Sequence, residues 1–249
     1  MSGHSKWSKI KRQKENQDAK KGKLFSKLAK EITIAAKTGG SGDINSNARL
    51  RLVVTKAREA NMPMDNIKKA IARGTGELPG VNYEDIIYEG YGPGGIAIVV
   101  EAVTDNKNRI TSEVRNIFSK HNGRLAERGA VAWNFKRRGV IIIKKSDKEE
   151  EILDVAINSG ASDFEVDEDE IIIKTEFEDF EKVKKGLQDF KFEIKEADVN
   201  LVPDNYTEID IGTAEKNMRL IEALEELDDI NKVTTNMDIP EQILQKANL

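Results

Sequence analysis

What most limits how this chain can fold is an ordered change of hydrophobic period across residues 140–199. Residues 140–144 form a short, nearly continuous apolar run of strand type, and 148–159 carry apolar residues at helical spacing. Two strands follow at 163–166 and 170–174, joined by an acidic turn, then a helix at 177–188 and a strand at 191–199. The order β-α-β-β-α-β is ferredoxin-like. A second set lies further out: strands at 85–90 and 96–103, a helix at 110–120, and a strand at 130–135 carrying Trp133. A helix at 213–227 and a strand at 231–235 would complete that set. The later α/β domain is therefore expected to be inserted into the earlier one, giving domains at 1–78, 79–137 with 205–249, and 138–204.

The first 75 residues follow different rules. They hold 18 Lys and Arg against 6 Asp and Glu, a balance of +12, whereas residues 146–249 balance at −19. The net charge of −4 conceals this gradient. A basic head of this kind meets a polyanion, most commonly nucleic acid, unless it is a solvated surface. Residues 2–16 surround Trp7 and Ile10 with Lys6, Lys9, Lys11, Arg12 and Lys14. Too little of this arm is apolar to bury a face, so it reads as an extended arm able to track phosphates. Trp7 could stack on an exposed base or dock on the head's own core.

Three amphipathic helices follow in the head. The first, capped by Asp18 and running to about Lys37, buries Leu24, Phe25, Leu28, Ile32, Ala35 and Ala36. Lys20, Lys23, Lys27, Lys30 and Lys37 form a stripe on the other side, spaced to meet a phosphate backbone, with Ile34 as an apolar intruder. The second, 46–60, turns Leu50, Val53, Val54 and Ala57 inward and Arg49, Arg51, Lys56 and Arg58 outward. Pro63 opens the third, which Gly74 is expected to close. The fold class is therefore α+β in three domains: a basic three-helix head followed by two ferredoxin-like α/β domains.

Several chemistries are disfavoured. The chain has no Cys, so disulfides and thiolate metal sites are excluded. Its longest apolar runs are far short of the roughly 20 residues a membrane-spanning helix needs. Gly90-Tyr91-Gly92-Pro93-Gly94-Gly95 matches G-x-G-x-x-G, but a strand follows where a dinucleotide fold needs a helix, so it reads as a hairpin turn. Tyr88 and Tyr91 flank that turn and could pack on it or touch a ligand. The loop Thr104-Asp105-Asn106-Lys107-Asn108-Arg109 is denser in polar groups than capping alone requires, which makes Lys107 and Arg109 contact candidates. His4 and His121 are the only histidines, and no nucleophile motif, phosphate loop or metal-binding pair accompanies them. The acidic runs 149–151, 167–170 and 225–229 read as solvated surface. No enzyme activity, cofactor or metal is expected.

The motifs carry a resemblance. GHSKW at 3–7, QDAKKGKLFSKL at 17–28, NARLRL at 47–52, NMPMDNIKKAIARGTG at 61–76, YEGYGPGG at 88–95, TDNKNR at 104–109 and SEVRNIFSKH at 112–121 are similar to the YebC family. After Asn122-Gly123 the chain departs, reading RLAERGAVAW where the family pattern is nearer NLGESGSVSW. The resemblance implies a helical head with two α/β domains. It implies a DNA-binding transcriptional regulator in the cytoplasm, the description given to bacterial members. It also leaves open a ribosome-associated translation factor binding RNA, because a mitochondrial relative is a translational activator of cytochrome c oxidase. A protein-interaction scaffold whose basic head binds its own or another acidic domain is the third reading. For nucleic acid, the candidate contacts are Lys6, Trp7, Lys9, Lys11, Arg12, Lys14, Lys20, Lys23, Lys27, Lys30, Arg49, Arg51, Lys107 and Arg109.

Overall fold

A computed structural model describes residues 18–167 and 169–239. The chain begins with helices α1 (Asp18–Thr38), α2 (Ala48–Glu59) and α3 (Met64–Thr75). Next come β1 (Glu84–Tyr91), β2 (Ala97–Thr104), α4 (Lys107–Lys120) and β3 (Arg124–Ala126). Then follow β4 (Phe135–Lys144), α5 (Glu149–Ser159), β5 (Ala161–Val166), β6 (Glu170–Glu176), α6 (Phe180–Asp189), β7 (Ile194–Pro203) and β8 (Thr207–Glu208). Helix α7 (Ile211–Glu225), β9 (Ile230–Thr235) and β10 (Met237–Asp238) end the described chain. Two compact units result. One takes the described residues through Ala130 with Ile211–Val233; the other takes Val131–Asp210 with the described residues from Thr234.

In the first unit the three head helices close over Leu28, Ile32, Ala35, Leu50, Val54, Ala57, Met62 and Ile67. Asn47 joins two helix ends: its side chain accepts from Leu50 N at 3.0 Å, capping α2, and its Nδ2 donates to Ala35 O at 2.9 Å near the end of α1. Gly74 does not close α3. It lies inside the helix, where a Cβ would come within 2.3 Å of Thr33 O and 2.7 Å of the Ala36 Cβ, so it sets how closely α3 meets α1. The left-handed stop falls at Gly76, φ 83°. Helix α1 also differs from its expected face. Leu24 is 45% exposed, while Ile34, in the Lys stripe, is 2% exposed. A helix with apolar contacts on two sides has two neighbours, and the second one decides the fate of the lysines described below.

The same unit holds an open sheet of order β3-β1-β2-β9. β1 and β2 form the expected hairpin, antiparallel from Glu84↔Thr104 to Tyr91↔Ala97. In the second unit the sheet order is β5-β6-β4-β7, antiparallel throughout. The two sheets share one plan. β4 and β5, linked by α5, flank β6, and β6 and β7, linked by α6, flank β4. Likewise β2 and β3, linked by α4, flank β1, and α7 delivers β9 to the far side of β2. The difference is connectivity: β1 precedes β2 instead of following β3, and Val131–Asp210 falls between β3 and α7 in the chain. Ile141, Ile142, Ile143, Ile171, Ile172 and Ile173 are all nearly inaccessible, so β4 and β6 are buried on both faces, which explains their continuous apolar runs.

Two details near residue 130 overturn the sequence expectation. The strand expected at 130–135 is a single 3-10 turn, Ala132–Asn134, and β4 starts at Phe135. Trp133 sits on that turn, 72% exposed. Asn134 explains the turn: its Oδ1 accepts from Asn205 N at 3.0 Å and its Nδ2 donates to Asn205 O at 3.0 Å, tying the start of β4 to the chain beyond β7. The three-residue strand β3 had no period of its own to announce it.

Candidate nucleic-acid interface

Arm residues Lys6, Trp7, Lys9, Lys11, Arg12 and Lys14 lie outside the described residues, as does the side chain of Lys20. The rest of the α1 stripe is described, and it does not stand free. α7 ends at Glu225, leaving carbonyls without helical partners at the negative end of its dipole. Lys27 Nζ donates to Glu225 O at 3.0 Å and Lys23 Nζ donates to Glu226 O. Lys23 also lies 3.5 Å from the Asp228 carboxylate. Lys30 donates to Asp228 O at 3.2 Å and to Asp229 Oδ1 at 2.6 Å, and Lys37 donates to Asn82 Oδ1. The expectation of a solvent-facing stripe is corrected for Lys23, Lys27 and Lys30, which cap and neutralise the chain's own acidic segment, whereas Lys37 stays exposed beside Asn82. Ile34, which falls within that stripe, is 2% exposed.

Asp229 is the hub. Its side chain is 8% exposed and accepts from Lys30, from Thr104 Oγ1 at 2.8 Å and from Arg109 Nη2 at 2.5 Å. Its carbonyl accepts from Val103 N at 2.8 Å, fixing the turn before β9 against the end of β2. Burial alone would raise the Asp229 pKa, but bonds from Lys30, Arg109 and Thr104 outweigh it and hold the carboxyl below its usual range. Arg109 is shifted upward by Asp229 first and Asp105 second.

The polar loop before α4 thus resolves into separate jobs. Thr104 anchors Asp229 and accepts from Asn106 N at 3.0 Å; Asn106 caps α4 by accepting from Arg109 N at 3.0 Å; Asp105 pairs with Arg109 at 2.8 Å. Lys107 is exposed and makes no salt bridge with a described residue. Arg49 is also engaged, in a bidentate pair with Asp85 at 2.5 and 2.8 Å that raises its pKa against the opposing pull of burial. Arg51 donates to Asn45 O at 3.3 Å. A cleft of about 390 Å³ opens beside the hub, but Asp105, Glu113, Glu226, Asp228 and Asp229 outnumber Lys30 and Arg109 in its wall, so it repels phosphate.

Besides Lys107, the cations left outward include Arg58, expected to face out, and three on α3 that sequence reasoning did not single out. α3 buries Ile67 and Ala70 and exposes Lys68, Lys69 and Arg73, with Lys69 and Arg73 one turn apart on the same face. Arg58 is exposed at the end of α2. None of the four makes a salt bridge with a described residue. The missed signal was charge count against burial: α3 has three cations, one acid and one narrow apolar stripe. Among the described residues no group of His, Asp and Glu could hold a metal ion, and no helix is long and apolar enough to cross a membrane.

The sequence matches the family models described as "TACO1/YebC protein N-terminal domain" over residues 5–77 and "TACO1/YebC second and third domain" over residues 83–237. It is 52% identical to a "Probable transcriptional regulatory protein" of Dictyoglomus turgidum over all of both chains. A protein of the same description from Chlorobaculum tepidum is 48% identical over 98% of each chain. The structure resembles the crystal structure of a conserved hypothetical protein from Aquifex aeolicus, with a TM-score of 0.81 and 46% identity over 92% of this chain and 94% of that one.

Proposed function

Because the chain belongs to the TACO1/YebC family, we propose that it is a regulator that works by binding nucleic acid in the cytoplasm, most simply as a DNA-binding transcriptional regulator. One observation carries this reading. After Lys23, Lys27 and Lys30 of α1 have been consumed internally, the head still presents Arg58, Lys68, Lys69 and Arg73 without described carboxylate partners. The basic sequence of residues 2–16 and the exposed Lys107 add further positive charge to the chain. Phosphates are the natural counter-charge for such a face. Helix α3 follows α2 after the short turn 60–63, and it is the element of the head that would lie against the nucleic acid. No enzymatic step is assigned to it.

A ribosome-associated role is the second reading, favoured by the chemistry of that face. Lys and Arg contacts to phosphate position a protein without reading sequence, whereas shape recognition of structured RNA needs little else. Selection from random duplex DNA beside ribosome co-sedimentation at matched salt separates the two. A transcriptional regulator should enrich a DNA motif bound at least about 10³-fold tighter than random duplex. Saturable ribosome binding without an enriched motif would replace it with the translation reading.

A further inference from the structure

The turn between β1 and β2 faces Asn122-Gly123-Arg124 across a cleft of about 560 Å³, within the size range of small-ligand sites. We propose that this cleft is a second nucleic-acid contact, which takes a phosphate group of a nucleotide or single strand on the Arg124 guanidinium. The proposal rests on the nucleic-acid reading above and places a contact outside the basic head.

Arg124 is the first argument. Its guanidinium lies over the Tyr91 ring, 4.8 Å from the centroid, and the ring is itself held by Tyr91 OH donating to Ala130 O at 3.1 Å. Arg49, Arg109 and Arg138 each pair with a carboxylate, but Arg124 makes no salt bridge or side-chain hydrogen bond with a described residue. A planar donor fork is thereby oriented on a ring, with its edge left for an oxyanion and its outer face for a base.

The bare walls are the second argument. A Cβ at Gly92 would meet Asn217 Oδ1 at 2.0 Å, and one at Gly123 would meet Tyr91 O at 2.8 Å, so packing behind the cleft forbids side chains there. Gly95 faces open space at φ +75°. Asn217 is fully buried and its Nδ2 donates to Pro93 O at 2.9 Å, so the turn is shaped from beneath by a polar group with its Oδ1 unpartnered. A ligand can therefore approach main chain closely on a surface of fixed shape. The local charge favours an anion: Arg124 is exposed and is the charged residue among those lining the cleft, with no carboxylate beside it in that lining. Glu89 is buried and turned to Gly129 N at 2.7 Å.

The test is an NMR titration of the full-length chain, following the amides of Gly94, Gly95 and Gly123 beside those of Lys68 and Lys69. The probes are inorganic phosphate, AMP and a short oligouridylate. The Gly amides should shift saturably. Saturation by AMP would identify a mononucleotide ligand, and saturation by the oligomer alone would identify the phosphodiester of a strand. R124A should weaken the probe that binds by roughly tenfold or more. It should also lower the salt slope of oligomer binding by about 0.7. R124K, which keeps the charge but not the fork, should fall between R124A and the unaltered chain. Shifts at Lys68 and Lys69 with silent Gly amides would overturn this site while sparing the head. R124K equal to the unaltered chain would overturn the fork. Silence at both sets would bring down this site together with the reading it rests on.

Discussion

Replacing Asp229 with Ala should loosen the head from the sheet beneath it. The deleted side chain is 8% exposed, and its removal leaves Lys30, 18% exposed, and Thr104 without their shared acceptor. A hydrogen bond between charged groups is worth about 1.5–3 kcal/mol and a further bond to the hydroxyl about 1 kcal/mol. Arg109 stands in solvent and keeps Asp105, so it adds nothing to the sum. The expected loss is about 3 kcal/mol, or a fall of roughly 6–12 °C in Tm for a unit of this size. Asp229→Asn keeps the shape and should lose about half as much. The pH dependence has a fixed sign. Because the folded carboxyl titrates below its unfolded value of about 3.9, its contribution is complete above that pH and disappears as pH falls through the lower folded value. The assay is urea denaturation of both chains from about pH 2.5 to about pH 7, a window that spans the transition. The gap between them should be widest above about pH 4 and narrow below it. A difference under about 1 kcal/mol at neutral pH, or one that widens in acid, would refute the hub.

Charge reversal at Lys27 and Lys30 together should destabilise the fold by about 2 kcal/mol, discounted for partial exposure, because their partners are protein carbonyls and carboxylates. Circular dichroism melts check this. Gly74→Ala should lose about 1–3 kcal/mol in a denaturant titration despite the better helix propensity of Ala, because its Cβ would meet Thr33 O. Asn47→Ala should lose about 1–2 kcal/mol in the same assay, as the α2 cap and the bond to Ala35 O go together. Arg58→Ala, an exposed site without a described ion pair, should change stability by no more than about 0.5 kcal/mol while weakening nucleic-acid binding in a titration run alongside.

How far the sequence could be read depended on whether a residue's role was local. The β5-β6-β4-β7 sheet was legible because each of its elements has its own period, from the apolar run of β4 to the stripes of α5 and α6. A cap within the loop 104–109 and the hairpin at Gly92–Gly95 were legible because each depends on near neighbours, although Asp105, Asn106 and Asn108 were equal candidates until Asn106 proved to be the cap. Lys23, Lys27 and Lys30 of α1 were not, since their partners lie about 200 residues away at the end of α7. Helical spacing shows that Lys23, Lys27 and Lys30 share a face, but not whether water or another element covers it. Ile34 was the signal left unread, since an apolar side chain in a cationic stripe marks a face that is not simply solvated. Trp133 and β3 were missed for the opposite reason: three-residue elements carry no period, and an isolated aromatic looks like core until its neighbours are placed.

Salt-dependent binding tests the central claim most directly. Fluorescence anisotropy of the full-length chain with a labelled random duplex and a labelled structured RNA should give log–log plots of affinity against salt that fall steeply. The variant with Lys68, Lys69 and Arg73 all changed to Ala should bind more weakly, and its slope should be shallower by roughly 0.7–0.9 for each phosphate that the variant no longer neutralises. Equal affinity and equal slope for that variant, or no salt-dependent binding by the unaltered chain, would contradict the account.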